Sequence, residues 1–561
     1  MKKTIKPWLG VWGAMILLAL GHYRDVGKGM AATGDHWLAG WYLTLVFLTF
    51  LGTAVFAVLF LQLVGKQQWS LERIYPLAGI FLGILYLAVL PPLSAPDEIS
   101  HYIGSYQLSN RMMGKEQADD RGNVLLRGTD WFLEDVYGNY IYEKDLDGIW
   151  KNAGIPNEEN QWKVLGQELR EEAYRMIHGI GLKGEITPQE EKFGQAGCSD
   201  EEEQTVASGH QPVVTTPFAY VPQALGITLA RIFHLNSIWL AYLGRFFNLL
   251  FFVTITTLAM RRLPFGKEIL FGVALLPMTL HLSASFSYDV MIMGCFFYFT
   301  SVCLDLAYGK EKVEPKDVAV LMALIAVAGP CKMIYGVLMG LCLLIPVKKF
   351  GGWTRWALAA LAVAGAWGIA MALINSKLIA NFATASDQVV EWAGEVGYSV
   401  GFLLHNPGKL IQMFYQTILW QAEMYHLTMV GAYLGNMDQG LDVPYMLVVF
   451  FTFCLAALSL RKPGENLIVS GGKRIWIFVV CGACVAAAFG TMLIAWTPVS
   501  SLVISGVQGR YFLPFLPVFL MACKNDWLIL TKDRNRSILY LMICANGYVL
   551  YRLFSIVCLR T

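Results

Sequence analysis

The chain has 561 residues, of which 56% are hydrophobic and 15% charged, and a mean hydropathy of +0.49; soluble domains carry roughly 25% charged residues. This composition excludes a soluble globular protein and predicts an all-α polytopic membrane protein. The formal charge of +2 conceals a segregation, because residues 93–216 hold 23 Asp and Glu against 11 Lys and Arg, a net of −12, which leaves +14 for the rest.

The first element, MKKTIKPWLGVWGAMILLALG, has the charged and apolar regions of a signal peptide. No small-residue cleavage site follows it, so it is expected to be an uncleaved span oriented by Lys2, Lys3 and Lys6. Apolar windows then fall at about 8–22, 38–64, 73–91, 238–260, 268–284, 288–307, 317–331, 333–347, 354–374, 443–460, 475–496, 511–523 and 537–557, which predicts about 13 transmembrane helices. With the N-terminus cytoplasmic, the inner segments gather 22 Lys and Arg, including Arg261, Arg262, Lys310, Lys348, Lys349, Arg461, Lys473 and Lys524. The short outer loops hold far fewer, chiefly Arg24, Lys28, Lys332, Lys377, Lys409, Arg510 and Arg560, and this asymmetry sets the expected topology.

Five regions follow: N-terminal spans (1–92), an acidic extracytoplasmic insert (93–216), a central membrane region with a juxtamembrane helix (217–374), an extracytoplasmic aromatic-rich segment (375–442) and C-terminal spans (443–561). Within the insert, SDEEE at 199–203 reads as a solvated loop. Residues 215–235 read as an apolar juxtamembrane helix interrupted by Pro217 and Pro222. Ile411, Phe414, Ile418 and Met424 are spaced for an amphipathic helix at the interface, with Trp392, Tyr415, Trp420, Tyr425 and Tyr433 at headgroup level. The 11 cysteines give no disulfide framework, since only Cys198 and Cys558 lie clearly outside apolar stretches. The Cys481/Cys484 CxxC, inside an apolar helix and without a second ligand pair, reads as structural.

Residues able to carry chemistry collect on the expected outer side. They are Asp97, Glu98 and His101; His281, Ser285, Ser287 and Asp289; Lys332 and Tyr335; Asp438; and Gln508, Arg510 and Tyr511. Boundary carboxylates are costly to desolvate, so Asp97 and Glu98 are expected in water or a water-filled pocket, their side chains diverging because they are neighbours in sequence. Asp97 suits a general base, or alternatively a solvated helix cap after Pro96. The planar fork of Arg510 suits a phosphate or pyrophosphate, with snorkelling to headgroups as the alternative. Lys332 is open to the same two readings. His281 and Asp289 could also satisfy one another or a backbone carbonyl.

The blocks APDEISH, PMTLHLSASFSYD, GPCKMIYGVLMGLCLLIP, VGAYLGNMDQGLDVP and VQGRYFLPFLP, in this order, resemble those of the domain-of-unknown-function family 2142 from about residue 73 onward. That family resembles the GT-C superfamily of polytopic glycosyltransferases, whose members take a sugar from a polyprenyl-phosphate or polyprenyl-pyrophosphate carrier at the outer face. The resemblance implies a GT-C-like fold in a bacterial cell membrane. It implies Asp97 as base with Glu98 as its partner, Arg510 as a donor-phosphate ligand, and His101, Asp289, Lys332, Tyr335, Asp438, Gln508 and Tyr511 around the substrate. The expected partners are a polyprenyl-phosphate sugar, a glycan or glycolipid acceptor and the lipid bilayer, with no nucleic acid. Two carboxylates fall short of a metal site, although Mg or Mn at Asp97 and Glu98 is one option. A flippase for polyprenyl-linked glycans and a non-catalytic envelope-assembly subunit are the competing classes.

Overall fold

The computed structural model describes residues 2–33, 36–61, 69–90, 92–130, 205–376, 379–380, 389–390, 392–435 and 442–559. Helices α1 (Lys2–Thr33), α2 (Trp37–Leu61), α3 (Leu71–Val89) and α4 (Glu98–Met112) precede two short strands, β1 (Leu125–Arg127) and β2 (Thr205–Ala207). The central region comprises α5 (Val221–Ile232), α6 (Ser237–Arg262), α7 (Lys267–Ala274), α8 (Pro277–Ser283), α9 (Asp289–Leu304), α10 (Pro315–Ala328) and α11 (Trp353–Ile374). There follow β3 (Val389–Val390), β4 (Glu395–Val396), α12 (Val400–His405), α13 (Pro407–Val430), α14 (Tyr445–Leu458), α15 (Gly471–Ala495), α16 (Leu516–Cys523) and α17 (Asn535–Leu559).

Among the described residues, seven helical stretches are long and apolar enough to cross a membrane: Leu38–Leu61, Leu71–Val89, Ser237–Arg262, Asp289–Gly309, Trp353–Ile374, Gly471–Ala495 and Asn535–Ile556. Six other apolar windows take different forms. Window 8–22 lies inside the 32-residue α1. Window 268–284 is divided into α7 and α8, because Pro277 forces the preceding residue into extended backbone, Leu276 having ψ 139°. The 14-residue α10 and α14 reach ~21 Å, short of a ~30 Å hydrocarbon core, and α16 has eight residues. Residues Met333–Leu344 form a 3₁₀ helix; its rise of ~2.0 Å per residue carries these twelve residues over ~24 Å, where an α-helix would cover ~18 Å.

The Asp289–Gly309 stretch is central, with 89% of its most apolar window buried, whereas 11% is buried in Trp353–Ile374. In the insert, β1 and β2 pair antiparallel, Leu126 opposite Val206, and the buried Arg127 holds Asp130 with a fork at 2.6 and 2.9 Å while Tyr106 donates to the same carboxylate at 2.6 Å. The SDEEE stretch lies outside the described residues. Pro217 and Pro222 stand at helix starts, in the Pro217–Tyr220 turn and the first turn of α5, where a missing N–H costs nothing. On α13, Ile411, Tyr415, Ile418, Trp420 and Met424 are exposed, while Phe414 and Tyr425 pack on Phe489.

The chain charges gather at two ends of the helix bundle. At one end Arg262 meets Asp305 and Asp317, each at 2.6 Å, Lys310 meets Asp317 at 3.0 Å, and Lys267 approaches Glu72 at 3.5 Å. There too Lys524 binds Glu268 at 2.6 Å and Glu465 at 2.7 Å. The opposite ends of α3, α6, α9 and α10 frame the site described next.

Candidate functional site

The turn after α3 carries two residues with positive φ, Leu93 at 65° and Asp97 at 56°. Asp97 occupies the N-cap position of α4, yet its side chain caps nothing in the helix. Its Oδ2 instead accepts from Arg510 Nη2 at 2.7 Å, across 413 residues of sequence. The left-handed backbone, tolerable for Asp because it is short and polar, separates its carboxylate from that of its neighbour. Glu98 is buried and accepts from the backbone N–H groups of Ala95 at 2.8 Å and Phe286 at 2.9 Å. Arg245 Nε lies 3.5 Å from Glu98 Oε1, and the same guanidinium donates to the carbonyls of Ala284 at 2.7 Å and Leu90 at 2.9 Å.

These bonds hold open the interruption between α8 and α9. A broken helix in an apolar interior survives only where its freed backbone groups find partners. Asn248 donates to the carbonyls of Ser285 (2.7 Å) and Ser287 (3.1 Å), and Gln223 to that of Phe286 (3.2 Å). Ser287 Oγ accepts from the Asp289 N–H at 3.2 Å. Asp289 therefore stands at the start of α9 with its carboxylate toward two cations: Lys332 Nζ at 3.0 Å and Arg510 Nη1 at 3.3 Å.

Lys332 immediately precedes the 3₁₀ helix, with its ammonium 3.9 Å from the Tyr511 ring centre and 5.2 Å from that of Tyr288, both within cation–π range. Arg510 donates from Nε to Gln508 Oε1 at 2.5 Å. Its loop is seated on α13: Gly509 N donates to Thr428 Oγ1 at 2.9 Å, and a side chain at 509 would strike the Tyr425 carbonyl. Tyr335 braces the loop by donating to the Tyr511 carbonyl at 2.9 Å. His101 Nδ1 is 2.9 Å from the Tyr220 hydroxyl, its ring lies edge-on to Tyr288, and its buried Nε2 has no hydrogen-bond partner among the described residues.

The electrostatics separate the two neighbouring carboxylates. Desolvation pushes Asp97 up, but Arg510, followed by His101 and Lys332, outweighs it and holds the carboxyl below its ordinary value. Burial dominates at Glu98 and keeps its carboxyl above the ordinary value despite Arg245. Burial also brings His101 down to about 4, against the pull of Asp97 and Asp289, so its imidazole is neutral near pH 7.

Of the residues singled out from sequence, Asp97, His101, Asp289, Lys332, Gln508, Arg510 and Tyr511 come together, with Tyr335 supporting the loop from behind. Glu98 belongs to the buried frame, and Asp438 lies outside the described residues. His281 and Asp289 do not pair with each other: His281 Nε2 accepts from the Gly435 N–H at 3.2 Å. Asp97 and Glu98 do not fit a shared divalent cation, because one carboxylate engages Arg510 and the other is committed to Arg245 and buried amides. Among the described residues no group of three His, Cys, Asp or Glu is placed to hold a metal ion. The sequence reading missed Arg245, Asn248 and Gln223. Arg245 carried a usable signal, a lone cation inside the 238–260 apolar window.

A family model described as a predicted membrane protein, DUF2142, matches residues 187–519, a stretch containing Asp289, Lys332 and Arg510. Comparison with curated proteins and with solved structures gives no match. The matched stretch covers more than half of the chain and carries three of the four charges that meet at the site, so the protein belongs to the DUF2142 family of predicted membrane proteins.

Proposed function

We propose that this protein is a GT-C-like membrane glycosyltransferase that moves a sugar from a polyprenyl-phosphate donor to a cell-surface polysaccharide or glycolipid at the outer face of a bacterial membrane. The observation that carries this reading is the 2.7 Å contact of Asp97 with Arg510, which puts a carboxylate suited to proton abstraction beside a fork suited to a phosphate. In the transfer, the acceptor oxygen bonds to the anomeric carbon and its proton passes to Asp97. The bond from that carbon to the phosphate oxygen breaks, its electron pair leaves with the lipid phosphate, and configuration inverts. Arg510 and Lys332 stabilise the charge arriving on that phosphate. Asp289, between the two cations, keeps them apart and oriented, and Glu98 with Arg245 fixes the backbone turn that presents Asp97.

Purified protein in lipid, given a panel of radiolabelled polyprenyl-phosphate sugars, should transfer label to an acceptor, and Asp97→Asn should not. Equal transfer by wild type and variant would remove Asp97 from the chemistry. A second reading, a transporter of polyprenyl-linked glycans, is favoured by the broken α7–α8–α9 run, since discontinuous helices frame substrate sites in transporters. It predicts movement of the lipid-linked glycan between leaflets with no sugar transferred.

A further inference from the structure

Arg510 is almost wholly buried, with a side chain 2% exposed, yet its partners differ in how firmly they are held. Gln508 is two residues away on the same loop. The Asp289 carboxylate is 8% exposed and also anchored by Lys332. The Asp97 side chain is 60% exposed, so of the two carboxylates on the guanidinium it is the one that can move into water, once another anion takes its place on the buried Arg510. Arg510 Nη1, 3.3 Å from Asp289 Oδ2, completes no aligned hydrogen bond among the described residues, so within them the guanidinium has both a replaceable anion and spare donor capacity on one side.

We propose that Asp97 is an internal stand-in for the phosphoryl group of the donor: the arriving phosphate takes over Arg510 and displaces the Asp97 carboxylate toward the acceptor. This deepens the transferase reading and rests on it for the identity of the anion as a lipid phosphate. The exchange couples two events at one residue. While Asp97 holds Arg510, its lone pairs are engaged by a cation and it is a poor base. Once phosphate replaces it, the carboxylate loses its strongest stabilising partner and becomes more basic, with its substrate in place. Premature attack by water is suppressed because the base is free only when the donor is bound. No covalent bond changes in the exchange itself; one anion replaces another on the same fork, which suits Arg because its planar donors match carboxylate and phosphate alike.

An internal competitor lowers apparent affinity by the fraction of time that it occupies the site. The test is the binding of farnesyl phosphate, with inorganic phosphate and farnesol in parallel, to wild type, Asp97→Asn, Asp97→Gly and Arg510→Gln in lipid nanodiscs. Asn and Gly both accept the left-handed backbone at 97, so at least one variant retains the turn. An Asp97 that holds the fork nine-tenths of the time predicts about tenfold tighter farnesyl phosphate binding in both Asp97 variants, none in Arg510→Gln, and no change for farnesol. Competition by inorganic phosphate at similar strength would assign recognition to the phosphoryl group alone; its failure to compete would add the lipid chain to the recognised ligand, and both results keep the exchange. Unchanged or weaker binding in the folded Asp97 variants would overturn the exchange, as would wild type that binds no farnesyl phosphate. Tighter binding in the variants with no sugar transfer by wild type would instead remove the transferase reading and leave the exchange standing.

Discussion

Two buried ion clusters, one at each end of the bundle, use the same ingredients to different ends. At the first, Lys524 is 0% exposed, and both of its partners, Glu268 and Glu465, are below 10%. Glu465 is further fixed by the Lys462 N–H at 3.2 Å. At the second, Arg510 is nearly as deep, but Asp97 reaches water and, among the described residues, both Arg510 Nη1 and Asp289 Oδ2 lack aligned hydrogen bonds. Burying charges carries a desolvation cost that only close partners offset. A cluster with every ligand paired and buried offers a guest no open position, whereas one that leaves donors unfilled beside a solvent-exposed ligand is poised to accept an anion. Charge and the depth of the central cation alone would not have told these two clusters apart; the exposure of one ligand and the degree of satisfaction do.

Substitutions sharpen the contrast. Lys524→Met should be the most damaging, because it leaves Glu268 and Glu465 buried without their cation; a loss of about 3–5 kcal/mol is expected in denaturant unfolding of the detergent-solubilised protein. A cost below about 1 kcal/mol would mean that water already reaches this cluster and that it is not closed. Arg245→Met should follow at about 3 kcal/mol, since it strips the Leu90 and Ala284 carbonyls of their donor as well as Glu98 of its cation. Arg510→Gln should cost about 1–2 kcal/mol, Lys332 remaining to neutralise Asp289. Its clearer effect is on pH dependence. With Arg510 present, Asp97 stays ionised to lower pH than an ordinary carboxylate, so kcat/KM falls only as pH drops through that depressed pKa. Removing the cation leaves desolvation opposed only by weaker partners, and the acid limb should move to higher pH in whatever activity survives. An acid limb that stays in place would detach it from Asp97.

Much of this site was legible in the sequence because charges flanking apolar windows cannot lie at arbitrary depth. Asp97, Asp289, Lys332 and Arg510 were assigned to one side by the alternation of spans, and they meet within hydrogen-bonding range. The roles of Asp97 and Glu98 were not legible, because they depend on a left-handed turn that no apolar pattern encodes. The division of 268–284 was equally hidden. Hydropathy reports a preference for an apolar surrounding, but whether a helix may break there depends on donors from remote segments, here Gln223, Arg245 and Asn248. Residues 333–347 read as a short span for the same reason: periodicity does not distinguish a 3₁₀ helix, here Met333–Leu344, from an α-helix when nearly every side chain is apolar.

The smallest effect on stability is expected where the largest effect on function is proposed. Asp97→Asn preserves the size and turn preference of the side chain, and its ion pair is formed from a carboxylate 60% in water, so screening limits the cost to about 0.5 kcal/mol. The sign has a pH signature. A carboxyl whose folded pKa is depressed adds stability above its unfolded pKa and forfeits it as pH falls through the folded value. Wild type and variant should therefore differ slightly at neutral pH and converge in acid, while sugar transfer is lost in the variant at every pH. A loss comparable to Lys524→Met would mean that Asp97 is part of the frame, and the distinction between a closed cluster and an open one would fail at the residue on which it most depends.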